Sequence, residues 1–218
     1  MNTLLPILVL LGIVVFLVLR LRSILGTRDG FEPHRGPKPV PTGDVTQPFA
    51  TVDKGEDRDV TDHVEEGSLA AKALFAMKRV EPSFSVSEFL GGARGAYEMI
   101  LMAFEKGEIA DLQPYLSEEV FETFNEVVES RMEQGLEIDA DFVGVREMAL
   151  ADARFDEDTK TAEVTVRFVG ELTYQVTNAE GEVLEGGSGS IKRQKDRWTF
   201  SRVMGANDPN WQLVATDE

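Results

Sequence analysis

Chemistry in a protein chain begins with its thiols, imidazoles and clustered carboxylates, and this one has few of the first two. Of its 218 residues none is cysteine, and the only histidines are His34 and His63. Without a thiol there are no disulfides, thiolate nucleophiles, zinc–thiolate sites or iron–sulfur clusters. Both histidines fall in a stretch that reads as unstructured, so no histidine base or histidine-bound metal is expected in the folded part. Carboxylates are plentiful. Glu122, Glu126, Glu129 and Glu133 recur at helical spacing. Such a row holds a metal only with ligands from another element, and a solvated helix face is the plainer reading. Gly91, Gly92 and Gly95 suggest a phosphate-cradling loop, but no strand precedes them and no lysine follows in the required frame. Every Asp or Glu that can be placed falls on a polar face or in a turn. We therefore expect no catalytic residue, no metal and no cofactor.

The charge is uneven. Residues 1–80 carry 10 Lys/Arg and 10 Asp/Glu, whereas residues 81–218 carry 12 and 29, which accounts for the net -17. That field repels phosphate backbones, so no nucleic acid is expected as a partner, and basic peptides or protein surfaces are favoured. Plain solubility is the simpler account of the same acidity. Against it, Lys192, Arg193, Lys195, Arg197 and Arg202 gather basic charge near the C-terminus. They make either a docking patch for an acidic partner or, slightly preferred, protection for an exposed sheet edge.

The elements that would position these residues come in four segments. Leu4 to Leu19 is an apolar run broken only by Pro6 and Gly12, followed at once by Arg20, Arg22 and Arg28. It predicts an uncleaved transmembrane signal anchor over residues 1–25, with the C-terminal side in the cytoplasm. A cleaved signal would need a basic start and a small-residue cleavage site, and neither is present. Residues 26–67 carry Pro33, Pro37, Pro39, Pro41 and Pro48 among glycines and mixed charges, and read as a disordered linker. Residues 68–80 read as a short basic amphipathic helix with Leu69, Ala73, Leu74 and Met77 along one stripe. Lys72, Lys78 and Arg79 are candidate membrane-surface contacts; the helix either lies on an anionic membrane or packs on the following domain.

The folded domain spans residues 81–218. Ser85-Val-Ser-Glu88 is a capping box opening a helix with Phe89, Ala93, Ala96, Tyr97, Ile100, Ala103 and Phe104 on one face and Gly107 as its stop. Gly91, Gly92 and Gly95 weaken that helix, and close approach of a neighbouring element would explain them. A second helix follows Pro114, capped by Ser117, with Val120, Phe121, Phe124, Val127, Val128 and Met132 as its stripe. Alternation then replaces the helical period. Strands are predicted over 141–155, 161–177, 182–195 and 197–203, an antiparallel meander of about four strands in an α+β order. Trp198, Phe200 and Trp211 read as core.

Pro82-Ser-Phe84, the run Phe89-Leu-Gly-Gly-Ala-Arg-Gly-Ala-Tyr97, Leu116-Ser-Glu-Glu-Val120, Arg197-Trp198 and Asp208-Pro-Asn-Trp-Gln-Leu213 together resemble the Tim44-like domain, over about Glu81 to Val214. That family includes the mitochondrial inner-membrane subunit that docks the chaperone motor at the import channel. The N-terminal anchor, and the absence of a long chaperone-binding region, make the bacterial inner-membrane type the nearer match. The resemblance implies a curved antiparallel sheet wrapped by helices, a cone like nuclear transport factor two (NTF2-like), enclosing an apolar pocket. Phe89, Tyr97, Phe104, Phe121, Phe124, Phe168 and Trp198 are the candidate pocket or client-binding residues. It implies a non-catalytic, single-pass adaptor of the inner membrane, with its domain on the cytoplasmic side. Its partner would be a protein client or a translocase or chaperone component. The alternatives are a small-molecule or lipid binder, or an enzyme, using the pocket, and a structural subunit of a secretion machine.

Overall fold

A computed structural model describes residues 57–217 of the chain. The expected anchor over 1–25 and the linker as far as residue 56 lie outside the described residues. Among those described, no helix is long and apolar enough to cross a membrane.

Helices come first and sheet afterwards. Helix α1 spans Arg58–Thr61, α2 Leu69–Val80, α3 Val86–Lys106 and α4 Glu118–Glu133, with a 3-10 turn over Ala110–Tyr115 between the last two. Four strands follow, β1 Glu137–Phe155, β2 Thr161–Thr177, β3 Val183–Val203 and β4 Gln212–Asp217, in one antiparallel sheet ordered β1-β2-β3-β4. The α+β order and a sheet of four strands agree with the sequence reading, but the strands divide differently. Residues 183–203 form one long strand where two were expected, and the C-terminal segment supplies the fourth. Gln194 and Asp196 keep the alternation in register, so nothing ends β3 at residue 195. Strand β1 starts at Glu137 rather than Asp141 and carries three register shifts against β2. Each places two residues opposite one, which bends the strand and raises its twist.

The caps are local and formed as the spacing requires. Ser68, Ser85 and Ser117 each accept a backbone N–H from three residues ahead. Gly107 ends α3 in the left-handed region, φ 74°. What the spacing did not reveal is that α3 has a second cap from outside its own sequence. The Asp59 carboxylate of α1 accepts from the amides of Val86 (2.8 Å) and Ser87 (3.0 Å) and from the Ser85 hydroxyl (3.0 Å). It also receives Lys78 Nζ of α2 at 2.7 Å. Residues 57–67, expected to belong to an unstructured linker, thus carry an ordered helix, with Val60 fully buried beneath it. Val60 and Val64 are the only apolar side chains in this stretch, and a single interval of four is too short a period to read. His63, expected in the same unstructured stretch, is ordered at the surface, with Nε2 3.2 Å from the Ser87 hydroxyl.

The core lies between the inner face of the sheet and helices α2 and α3. Ala162, Val164, Val166, Phe168, Leu172, Tyr174 and Val176 alternate inward along β2. On α3, Phe89, Ala93, Tyr97 and Ile100 point down at them. Tyr97 stacks on Phe168 with centroids 4.4 Å apart and planes at 10°, and Trp198 closes the third side at 4.8 Å. The Tyr97 ring reaches so far into the sheet that a Cβ at Gly170 would stand 2.5 Å from its hydroxyl. The three glycines within α3 serve no such approach. Around Gly91, Gly92 and Gly95 a Cβ would meet nothing within 4 Å, because they face outward from α3, and the expected close neighbour is not there.

Two outcomes follow. Gly170→Ala should destabilise the domain by about 2 kcal/mol through overpacking, read as a fall in melting temperature of roughly 4–8 °C. Tyr97→Phe should cost less in that background than in the parent, where it only strips the buried Asp196 of a donor, and a neutral Gly170→Ala would exclude the contact as a constraint. Asp59→Asn should cost about 1 kcal/mol at neutral pH as a weakened cap. Burial would raise the Asp59 pKa, but the bonds from Lys78 and the Ser87 and Val86 amides outweigh it and hold the carboxyl well below its ordinary 3.8. Its contribution is therefore present above that value and lost as pH falls further, so the two proteins should converge in acid. Denaturation followed at neutral and acid pH decides this.

Candidate docking site

Helix α2 divides its apolar residues between two directions. Ala71, Leu74 and Met77 are buried against the domain, which takes the packing reading of this helix for that face. Leu69, Ala73 and Ala76, at spacings of four and three, line the other side, opposite Ala153 and Phe155 at the end of β1. Between them runs a groove of about 870 Å3. Leu69 at its end is 80% exposed among the described residues. Lys72, Arg79 and Arg154 stand along its rim, together with Glu157.

The three candidate membrane-surface cations are not equivalent. Lys78 is held within the domain, its Nζ 2.7 Å from Asp57 and 2.7 Å from Asp59. Burial alone would lower its pKa, and those two carboxylates raise it instead. Only Lys72 and Arg79 project outward, Arg79 loosely paired with Glu157 at 3.6 Å.

A second cavity of about 370 Å3 lies over the start of α3. Its lining is aromatic, with Phe84, Phe89, Phe200 and Trp211; Phe89 and Trp211 are 4.7 Å apart. The Arg202 guanidinium lies 5.2 Å from the Trp211 ring centroid and donates to Glu81 at 2.7 Å. Arg202 is thereby removed from the expected basic cluster, as is Arg193, which pairs with Glu171 at 2.8 Å.

The seven candidate pocket residues do not surround one cavity. Tyr97, Phe168 and Trp198 form the aromatic centre of the core, and Phe89 joins it while lining the second cavity. Phe104 and Phe124 pair at 4.6 Å near the C-terminal end of α3, where Arg131 sits 4.4 Å from the Phe104 centroid. Phe121 is half-buried near them. Volume that the resemblance assigned to a pocket is, at these positions, filled by the side chains themselves. No signal in the sequence marked the α2–β1 groove except the second apolar direction of α2.

A family model for the Tim44-like domain matches residues 70–218, more than half of the chain. The protein belongs to the Tim44-like family. Among curated relatives, the mitochondrial import inner membrane translocase subunit TIM44-1 of Arabidopsis thaliana is 24% identical over 123 residues. That stretch covers 56% of this chain and 26% of the relative, so the chain spans about a quarter of that protein's length. Among solved structures, the intermembrane space region of the chloroplast protein ARC6 is 12% identical, matching 66% of this chain and 94% of that one. Its TM-score of 0.35 is too low to support an argument from shape.

This Tim44-like domain also buries two carboxylates, contrary to the expectation that all lie on polar faces or in turns. Asp196 accepts from the Tyr97 hydroxyl at 2.5 Å and from Gln194 Nε2 at 3.1 Å. Burial, and then the adjacent carboxylate, push the tyrosine pKa far above its usual range, which keeps it a hydrogen-bond donor. Glu105 of α3 is 7% exposed; Arg131 of α4 lies 3.5 Å away, and Oε2 has no hydrogen-bond partner among the described residues. Burial raises its pKa, partly offset by Arg131 and Lys192. Nearby, burial together with Glu105 and Glu185 pushes Tyr174 up to about 12. The signal was present in the spacing: Glu105 follows Leu101 and Tyr97 at intervals of four, and Asp196 precedes Trp198 by two. Neither carboxylate lines the groove or the aromatic cavity, so both act within the fold. Among the described residues no cluster of three metal-ligating side chains is found.

Because the folded state holds Glu105 with a raised pKa, its ionisation destabilises the domain as pH rises through that value. Glu105→Gln should therefore be more stable than the parent at neutral pH. The advantage should disappear on acidification below the ordinary glutamate value of 4.5. Urea unfolding at both ends of that range tests it, and a glutamine variant weaker than the parent at neutral pH would show that the Arg131 pair outweighs the burial.

Proposed function

We propose that this protein is a non-catalytic, membrane-tethered adaptor that docks a protein client or partner at the inner membrane, in protein translocation or membrane-protein assembly. Family membership supports the link to translocation, since the curated relative is named as a subunit of an import translocase. The observation that carries the reading is the α2–β1 groove, which is apolar at its base, charged at its rim and remote from the buried carboxylates. Such a surface offers area and charge for recognition rather than a reacting group. The run Leu4–Leu19 followed by Arg20 and Arg22 supports a single span with the domain on the cytoplasmic side. A small-molecule or lipid binder is the second reading, favoured by the aromatic cavity at Phe84, Phe89 and Trp211.

A photoreactive residue at Leu69 in intact membranes should crosslink to an identified translocase or assembly component, while the same residue at Glu119 on α4 should not. A reporter at the C-terminus should be active only on the cytoplasmic side. Fractionation away from the membrane, or identical crosslinks from both positions, would count decisively against an adaptor built on this groove.

A further inference from the structure

We propose that the α2–β1 groove receives an amphipathic helix of about three turns whose apolar stripe is flanked by acidic side chains. The proposal rests on the adaptor reading and names the chemistry of its partner.

Three observations converge on that occupant. The first is length. The groove follows α2, which has 12 residues, or roughly 18 Å at 1.5 Å per residue, the length of a three-turn helix. The second is depth. Ala73, Ala76 and Ala153 make a low floor beside Phe155, and small side chains let a helix seat its ridge between two walls. Leu69, with most of its side chain uncovered, is placed to meet the end of an incoming stripe.

The third is charge. In a chain of net -17, the rim gathers Lys72, Arg79 and Arg154. Among the described residues Arg79 pairs only with the exposed Glu157 at 3.6 Å, and Arg154 only with Asp152 at 3.2 Å, two residues earlier in its own strand. Exposed pairs of this kind contribute under about 1 kcal/mol and exchange readily for a partner's carboxylates. Lys78 does not join them, since Asp57 and Asp59 neutralise it. Beyond roughly 8 Å the acidity of the remaining surface is screened at physiological salt. An acidic helix is thus attracted where it seats and repelled elsewhere, which confers specificity more than affinity. A second copy of this chain also carries net -17, so its approach is opposed by charge everywhere outside the groove and it is the poorer candidate.

The test uses the full-length protein in a neutral detergent and two synthetic peptides of about fifteen residues, with leucines at i, i+3, i+4 and i+7. One carries glutamates on the flanks and the other lysines. Fluorescence anisotropy should show the acidic peptide binding at least about tenfold tighter. Lys72→Glu combined with Arg79→Glu should reverse that preference, a result that misfolding cannot produce. Leu69→Asp, at a position the fold does not bury, should weaken both peptides severalfold. A preference of the parent for the lysine peptide, or binding indifferent to Leu69→Asp, would overturn the proposal. So would crosslinks from position 69 to lipid alone in intact membranes, since the face would then be a membrane contact. Peptide binding that survives while the Leu69 crosslinks in membranes fail would leave the groove chemistry standing and remove the translocation role.

Discussion

A single tyrosine joins the two halves of this domain. The Tyr97 ring lies flat on Phe168, its edge meets Trp198, and its hydroxyl reaches Asp196. Those contacts come from β2 and β3, so one side chain from α3 fixes the helix on both central strands. The arrangement works only because Gly170 has no side chain where the ring enters. Burying a phenol requires a partner for its hydroxyl, and burying a carboxylate requires a donor. Tyr97 and Asp196 each satisfy the other, and the position of α3 over the sheet follows from that pairing.

With α3 in place, the remaining helices are arranged around its ends. Asp59 brings α1 to the amino end of α3 and ties down α2 through Lys78. The far end of α3 meets α4, where Arg131 faces Glu105 and covers Phe104. Leu213 of β4 accepts from the Ser117 amide, so the C-terminal strand locates the start of α4. Helix α2 is consequently held by its Ala71–Leu74–Met77 face, and its neighbouring apolar face is left beside β1 as a groove. The residues that hold α2 from the N-terminal side, Asp57 and Asp59, precede the stretch matched by the family model.

The chemistry of the chain agrees with a role in recognition. Its ordered histidine meets a serine hydroxyl at the surface, and its buried acids are engaged by Tyr97, Gln194 and Arg131 within the fold. The expectation of one aromatic pocket is replaced by a filled aromatic core and two surface concavities of different character. One is largely aromatic and lies under Arg202; the other mixes alanines with Leu69, Phe75 and Phe155 and is rimmed by cations. Membership of the Tim44-like family links the domain to proteins of the translocation machinery, and the concavities are where its specificity would be expressed.

Features set by neighbours in the chain were legible from residues alone. Serine caps three residues ahead of their amides, the helical stripe of α3, the alternation of β2 and the left-handed stop at Gly107 depend on spacing, and spacing is visible. The family resemblance rested on the same local runs. Tertiary structure decided the rest. Asp59 caps a helix that begins 26 residues beyond it at Ser85, and a hydrogen bond across that distance leaves no periodic trace. Glu105 and Asp196 occupy inward positions by period, but whether an inward acid is tolerated depends on Arg131 and Tyr97 arriving from other elements. The two directions of α2 became distinct only when the domain covered one of them, because a stripe in a sequence does not say what will lie against it.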